Sequence, residues 1–237
     1  MDFFELLAFG DTGWGDEMLK GALMTVLVSI SAMAIGLFVS VFGTMSKMSN
    51  NGFVRGIGNT YTTIVRGIPE LLVIYLLYFG LNNAIMGIAK GVFGYDQYIE
   101  LPVFLVAAIA VGLISGAYST EVIRGAFLAV PKGQVEAAKS VGMNKFLIFH
   151  RVLVPQVLRY ALPGLGNVWQ LTLKDTALIM VTGLVEIMRQ AHIGAGSTHE
   201  PFVFYITAAL LYLVLTTVSS QALNSAENWA NKGVRRA

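Results

Sequence analysis

Four ionisable residues interrupt stretches that are otherwise apolar: Arg66, Glu70, Lys174 and Asp175. A charge in hydrocarbon is costly unless it is paired or wetted, so each one marks a candidate functional position. The chemistry open to them is recognition and passage of a charged solute rather than bond making. Arg66 and Glu70 stand one helical turn apart across Pro69. A self-paired i,i+4 bridge that relieves both charges therefore competes with a place on a solute pathway. Lys174 and Asp175 are adjacent and point about 100° apart on a helix, so at least one faces protein or a cavity. Asn167, Gln170 and Lys174 follow at i, i+3 and i+7. That polar stripe reads as a cavity lining or a helix–helix seam.

A second candidate is the basic island 131–155 between apolar spans. Pro131 suits a first helical turn, and Lys132 to Val141 can form a short helix. Gly142 can supply its left-handed cap, and Asn144 can start a further helix running toward Pro155. Ala137 and Ala138 are expected to leave one face bare for close approach by another surface, with Glu136 and Lys139 at its rim. A basic helix lying flat on lipid is the competing reading, but 131–145 lacks the Trp/Phe/Leu face of an interfacial anchor.

These groups must be positioned by membrane helices. The chain is 55% hydrophobic and only 13% charged, too apolar for an ordinary soluble domain. A spanning helix needs about 20 apolar residues. Charge-free runs of that order cover 21–46, 71–89, 101–120 and 201–226, the third lying between Glu100 and Glu121. A fifth, about 160–185, is apolar except for Lys174 and Asp175, and the second is expected to begin near Gly58. The reading is one all-α membrane domain over 1–237, with about five transmembrane helices near 20–46, 58–82, 101–124, 157–185 and 201–227. A polar loop at about 125–155 joins the third to the fourth.

The first seventeen residues carry Asp2, Glu5, Asp11, Asp16 and Glu17 and no Lys or Arg, the reverse of a signal peptide, so the first span is expected to be retained. With the N-terminus outside, Lys47, Arg55, Arg124, Lys132, Lys139, Lys145, Arg151, Arg159, Lys232, Arg235 and Arg236 fall in the cytoplasm. Only Lys20, Lys90 and Arg189 then fall outside. The positive-inside bias thus predicts an outer N-terminus, a cytoplasmic C-terminus and a cytoplasmic island.

Other classes fit less well. Cysteine is absent, which removes thiolate chemistry, and His150, His192 and His199 lack metal-ligand spacing. Ser197 and His199 cannot present nucleophile and base as a triad does, which argues against an intramembrane protease. Five spans do not divide into the repeats of a secondary carrier, and no channel filter or nucleic-acid-binding stripe is apparent. No Gly-Lys dipeptide occurs, so a P-loop is excluded and any ATP hydrolysis belongs to another chain.

Glu136-Ala137-Ala138, Gly142 and the Val152-Leu153-Val154-Pro155 ending resemble the EAA loop of bacterial ABC-importer permeases. That loop usually ends Ile-x-Leu-Pro, so Val152 and Val154 are conservative departures. Arg66-Gly67-Ile68-Pro69-Glu70-Leu71, Gly116-Ala117-Tyr118 with Glu121 and Arg124-Gly125, and Val130 to Gln134 are similar to the polar amino-acid uptake branch. So are Ala161-Leu162-Pro163-Gly164 through Asn167, and Lys174-Asp175-Thr176-Ala177-Leu178. With Ser197 to Phe202, the chain looks most like Q-type permeases for histidine, for lysine/arginine/ornithine and for octopine or nopaline.

The resemblance implies a type I ABC importer permease of the bacterial inner membrane, not an enzyme, translocating basic amino acids or opines by alternating access. It makes the helix with Glu136, Ala137, Ala138 and Gly142 the coupling helix, seated in an ATPase dimer that carries ATP and Mg. A periplasmic solute-binding protein would dock on outer loops near 82–100 and 186–201. Arg66, Glu70, Asn167, Gln170, Lys174 and Asp175 become substrate-pathway residues, with no cofactor or metal in the chain itself. Subunits that grip a cationic solute often carry an acid two turns before the aspartate, where this chain has Val168. A heterodimer with a sister permease is therefore expected.

Overall fold

The computed structural model describes residues 3–10, 13–94, 97 and 101–231. Asp2, Asp11, Glu100, Lys232, Arg235 and Arg236, which enter the charge reading above, lie outside the described residues. Among the described residues the chain is helical, without strands. In order come α1 (Phe3–Leu6), α2 (Gly15–Lys47), α3 (Gly52–Gly67), α4 (Glu70–Phe93) and α5 (Val103–Ala129). They are followed by α6 (Lys132–Ser140), α7 (Lys145–Ile148), α8 (Val154–Asp175), α9 (Ile187–Thr198) and α10 (Pro201–Ala230). A π-helical turn, Phe149–Leu153, leads into α8, and a 3₁₀ segment, Thr176–Thr182, follows it.

The centre is the pair α2 and α5, whose facing surfaces carry a ladder of small residues. Ala32, Gly36 and Ser40 recur every fourth position on α2, as do Ala108, Gly112, Gly116 and Thr120 on α5, and all are buried. Lipid tails supply no hydrophobic force between helices, so close backbone approach must come from side chains this small. A Cβ on Gly36 would stand 2.1 Å from Ser115 Oγ and 3.0 Å from the Gly112 carbonyl. Side-chain hydrogen bonds lock the seam, with Thr44 Oγ1 donating to the Thr120 carbonyl at 3.3 Å and Tyr61 Oη on α3 donating to the Leu113 carbonyl at 2.6 Å.

Three apolar clusters hang on this pair. Val28, Val73, Ile74, Val111, Ile114 and Ile179 join α2, α4, α5 and the 3₁₀ segment. Met18, Ile187, Ala191 and Phe204 join α2, α9 and α10. Phe204 fills the notch left by Gly194 and meets Trp14 edge-on at 5.7 Å. Ala126, Val130, Val157 and Ala161 join α5 to α8. Outward, α2 and α10 present Leu23, Phe38, Phe42, Leu213 and Val218, all well exposed. Helices α2, α4, α5 and α10 are long and apolar enough to cross a membrane.

Two of the expected spans differ from the structure. The second, 58–82, is interrupted: α3 stops at Gly67, Ile68 and Pro69 are extended, and α4 starts at Glu70. The proline ring disfavours the helical region for the residue before it, which ends the helix rather than merely kinking it. Arg66 and Glu70 thus belong to two helices and are not an i,i+4 pair. The fourth, 157–185, is α-helical only to Asp175 and tightens into 3₁₀ turns that close at Gly183, φ +90°.

Replacing Gly36 with Val should destabilise the bundle by about 1–3 kcal/mol through overpacking. Gly80→Ala, where a Cβ meets nothing within 4 Å, should cause no loss. Thermal melts of the two variants in detergent check this pair.

Candidate functional site

The break between α3 and α4 leaves Arg66 in the last turn of one helix and Glu70 in the first of the next. A cation at a C-terminus and an acid at an N-terminus both complement the helix dipoles. Tyr118 on α5 reaches between them. Its hydroxyl donates to Glu70 Oε1 at 3.1 Å, and the Arg66 guanidinium carbon lies 5.3 Å from its ring centroid. Among the described residues no ion pair joins Arg66 to Glu70. Half-buried Asp175, the last residue of α8, feels the charges of Glu70 and of Lys174 beside it. Four helices thus bring one cation and two carboxylates around one aromatic ring.

The rest of the expected polar stripe divides. Asn167 and Lys174 are exposed on α8. Gln170 instead turns to α10, donating to the Thr216 carbonyl at 3.3 Å and to Ser220 Oγ at 3.1 Å. Its amide belongs to a helix–helix seam, as the 60° offset between positions three apart on a helix allows. Val168 is buried.

One turn beyond Tyr118 on α5 a charged cluster is fully paired. Lys47 Nζ binds Glu121 Oε1 and also donates to Thr62 Oγ1 at 2.7 Å. Arg124 meets Glu121 Oε2 at 2.9 Å. This set ties α2, α3 and α5 together just before the chain leaves for α6.

Helix α6 carries Glu136, Ala137 and Ala138, and its chain reverses at Gly142, φ +80°. The Gly142 N–H donates to the Lys139 carbonyl at 3.0 Å and the Met143 N–H to that of Ala138 at 3.1 Å, closing the helix end. Asn144 Oδ1 accepts from the Leu147 N–H at 2.9 Å and starts α7. The two alanines do not share a face. Ala138 is buried against its own chain, whereas Ala137 and Glu136 are exposed, because neighbours on a helix point in different directions. Val141, Phe146 and Phe149 beside them are also exposed, leaving an apolar patch next to the helix.

Sequence reasoning singled out neither the bridging role of Tyr118 nor Glu186, a fully buried acid at the start of α9. Tyr118 did carry a signal, as an aromatic hydroxyl among Ser115, Gly116, Ala117 and Ser119 in an apolar helix. Glu186 carried none, because nothing local tells a buried acid from a loop acid.

Residues 32–227 match the family described as "Binding-protein-dependent transport system inner membrane component". The nopaline transport system permease protein of Agrobacterium fabrum is 54% identical over 97% of this chain and 98% of its own. The octopine permease protein of Rhizobium meliloti is 50% identical over 100% and 99%. The histidine/lysine/arginine/ornithine permease protein of Escherichia coli is 39% identical over 95% and 98%. The crystal structure of an amino acid ABC transporter with histidines superposes with a TM-score of 0.80 at 31% identity, over 96% of this chain and 98% of that one. Inward-facing structures of the MetNI methionine ABC transporter share the fold at a TM-score of 0.65 and 16% identity, over 91% and 95%. The chain therefore belongs to the binding-protein-dependent transport system inner membrane component family: it is a permease subunit of an ABC importer, a transport protein whose ATPase and solute-binding protein are separate chains.

Proposed function

We propose that this permease carries basic amino acids or opines, and that Arg66, Tyr118, Glu70 and Asp175 lie on the solute's path. The carrying observation is the separation of Arg66 from Glu70 by Tyr118. Two opposite charges that do not neutralise each other can meet a zwitterion instead. A solute with a carboxylate, an ammonium group and a cationic arm matches one guanidinium and two carboxylates in sign and number. The name of the histidine/lysine/arginine/ornithine relative supports this class, and those of the nopaline and octopine relatives extend it to opines, which add carboxylates to the same frame. Asn167 and Lys174 line the approach along the exposed side of α8.

The positive-inside bias supports an outer N-terminus and a cytoplasmic α6. In that orientation Glu136, Ala137 and the exposed apolar patch face an ATPase dimer that holds ATP and Mg. Loaded binding protein docks on the outer segments near 82–100 and 186–201. ATP-driven closure draws the α6 helices of two permeases together and opens the pathway around Arg66 and Asp175 outward. Val168 favours a sister permease, rather than a second copy, as the other half.

Replacing Asp175 with Asn should lower uptake of radiolabelled arginine or nopaline roughly tenfold or more, the usual worth of a charged hydrogen-bonding partner. ATP turnover should stay coupled, and unchanged uptake would make Asp175 structural. Gly142→Val forces a branched residue to φ +80° and should abolish uptake while membrane insertion, read by blotting of membrane fractions, is kept. Normal uptake in that variant would count against coupling through α6.

A further inference from the structure

Glu186 has no part in the pathway cluster or in the coupling segment, yet it is fully buried. It caps α9, Oε2 accepting from the Met188 N–H at 2.8 Å and Oε1 from the Arg189 N–H at 2.7 Å. For a cap alone Ser, Thr, Asp or Asn would be the usual choice. The longer glutamate also reaches α10, where the Tyr212 hydroxyl donates to Oε2 at 3.1 Å. The same hydroxyl lies 3.3 Å from Thr176 Oγ1. Thr176 is buried and directly follows Asp175. On the far side, the Ile187 N–H donates to Thr25 Oγ1 on α2 at 3.3 Å, which seats the first turn of α9.

While Glu186 is ionised, the hydrogens in this chain are too few for its contacts. With Glu186 ionised, the Tyr212 and Thr176 hydroxyls supply two protons. Three contacts compete for them: Glu186 with Tyr212, Tyr212 with Thr176, and Thr176 with the Leu173 carbonyl at 2.7 Å. While Tyr212 donates to Glu186, Thr176 can donate to the last turn of α8 or to Tyr212, but not to both. A buried polar chain with two discrete arrangements is the kind of element that can transmit a displacement.

We propose that Glu186, Tyr212 and Thr176 form a positioning relay that ties the first turn of α9 to Asp175. A shift of α9 when loaded binding protein docks is passed through Tyr212 to the end of α8, and so re-aims the pathway carboxylate. The relay rests on the proposed function, in which α9 lies in the docking segment and Asp175 faces the solute.

The test uses the whole importer in liposomes: this chain, its sister permease and its ATPase. ATP turnover is measured with and without binding protein saturated with arginine or nopaline. Tyr212→Phe and Thr176→Val each remove one hydroxyl at nearly constant volume. Each should lower the maximal stimulation about fivefold, the low end of allosteric couplings. Basal turnover and the half-stimulating concentration of binding protein should stay at wild-type values. The double variant should be no lower than either single one, because a link can be cut only once. Thr176→Ser, which keeps the hydroxyl, should behave as wild type. Should Thr176→Val fail to assemble, Thr176→Ala takes its place in the cycle.

Unchanged stimulation in either single variant overturns the relay. So do losses that multiply in the double variant, or a loss confined to the half-stimulating concentration. A wild-type importer that loaded binding protein fails to stimulate overturns the proposed function, and the relay with it.

Discussion

The close approach of α2 and α5 is the constraint on which everything else is built. In water the burial of apolar side chains would hold such helices together, but in lipid the surroundings are as apolar as the side chains. Contact then depends on how near two backbones can come. The ladder Ala32, Gly36, Ser40 against Ala108, Gly112, Gly116, Thr120 removes the side chains that would hold them apart. Helix α5, fixed this way, carries Tyr118 between Arg66 and Glu70 and Glu121 into the paired cluster, and then delivers Val130 to the start of α6. Helix α2 in turn supports α9, with Gly21 lying against the Glu186 backbone.

Polar groups in this bundle fall into two kinds, those that answer one another and those held apart. Lys47, Glu121, Arg124 and Thr62 answer one another completely. Even a partly buried set of this kind is costly to break, because removing one member strands the others. It fastens three helices at the end from which α6 departs. Arg66, Glu70 and Asp175 are near one another yet separated, with Tyr118 interposed. Charges that could pair and are kept from doing so are what the proposed solute pathway rests on.

Much of this was legible along the chain. Arg66, Glu70 and Asp175 were conspicuous because each is a charge in an apolar setting. Gly142 and Asn144 were legible because local backbone geometry demands their residue types. Other features depend on direction or distance, which spacing conveys poorly. Gln170 fits a stripe with Asn167 and Lys174, but its orientation is decided by Thr216 and Ser220, some fifty residues away. Ala137 and Ala138 read as one bare face until the packing of α6 turned one in and left the other out. Arg66 and Glu70 fit one turn of a single span, whereas the extended Ile68 and Pro69 make two helices of it.

The sequence alone determined the apolar runs, the charge asymmetry, the Glu136-Ala137-Ala138 motif with Gly142 and the need for a separate ATPase. Each depends on composition or on neighbours within a few turns. Tertiary structure alone decided that Tyr118 stands between Arg66 and Glu70, that Gln170 turns into a seam with α10, and that Glu186 links α9 through Tyr212 to Thr176. Hydrogen bonds and cation–aromatic contacts act over a few ångströms in space, and the partners here lie tens of residues apart along the chain. Only the packing of α2 against α5, with the helices that hang on them, brings such residues within reach.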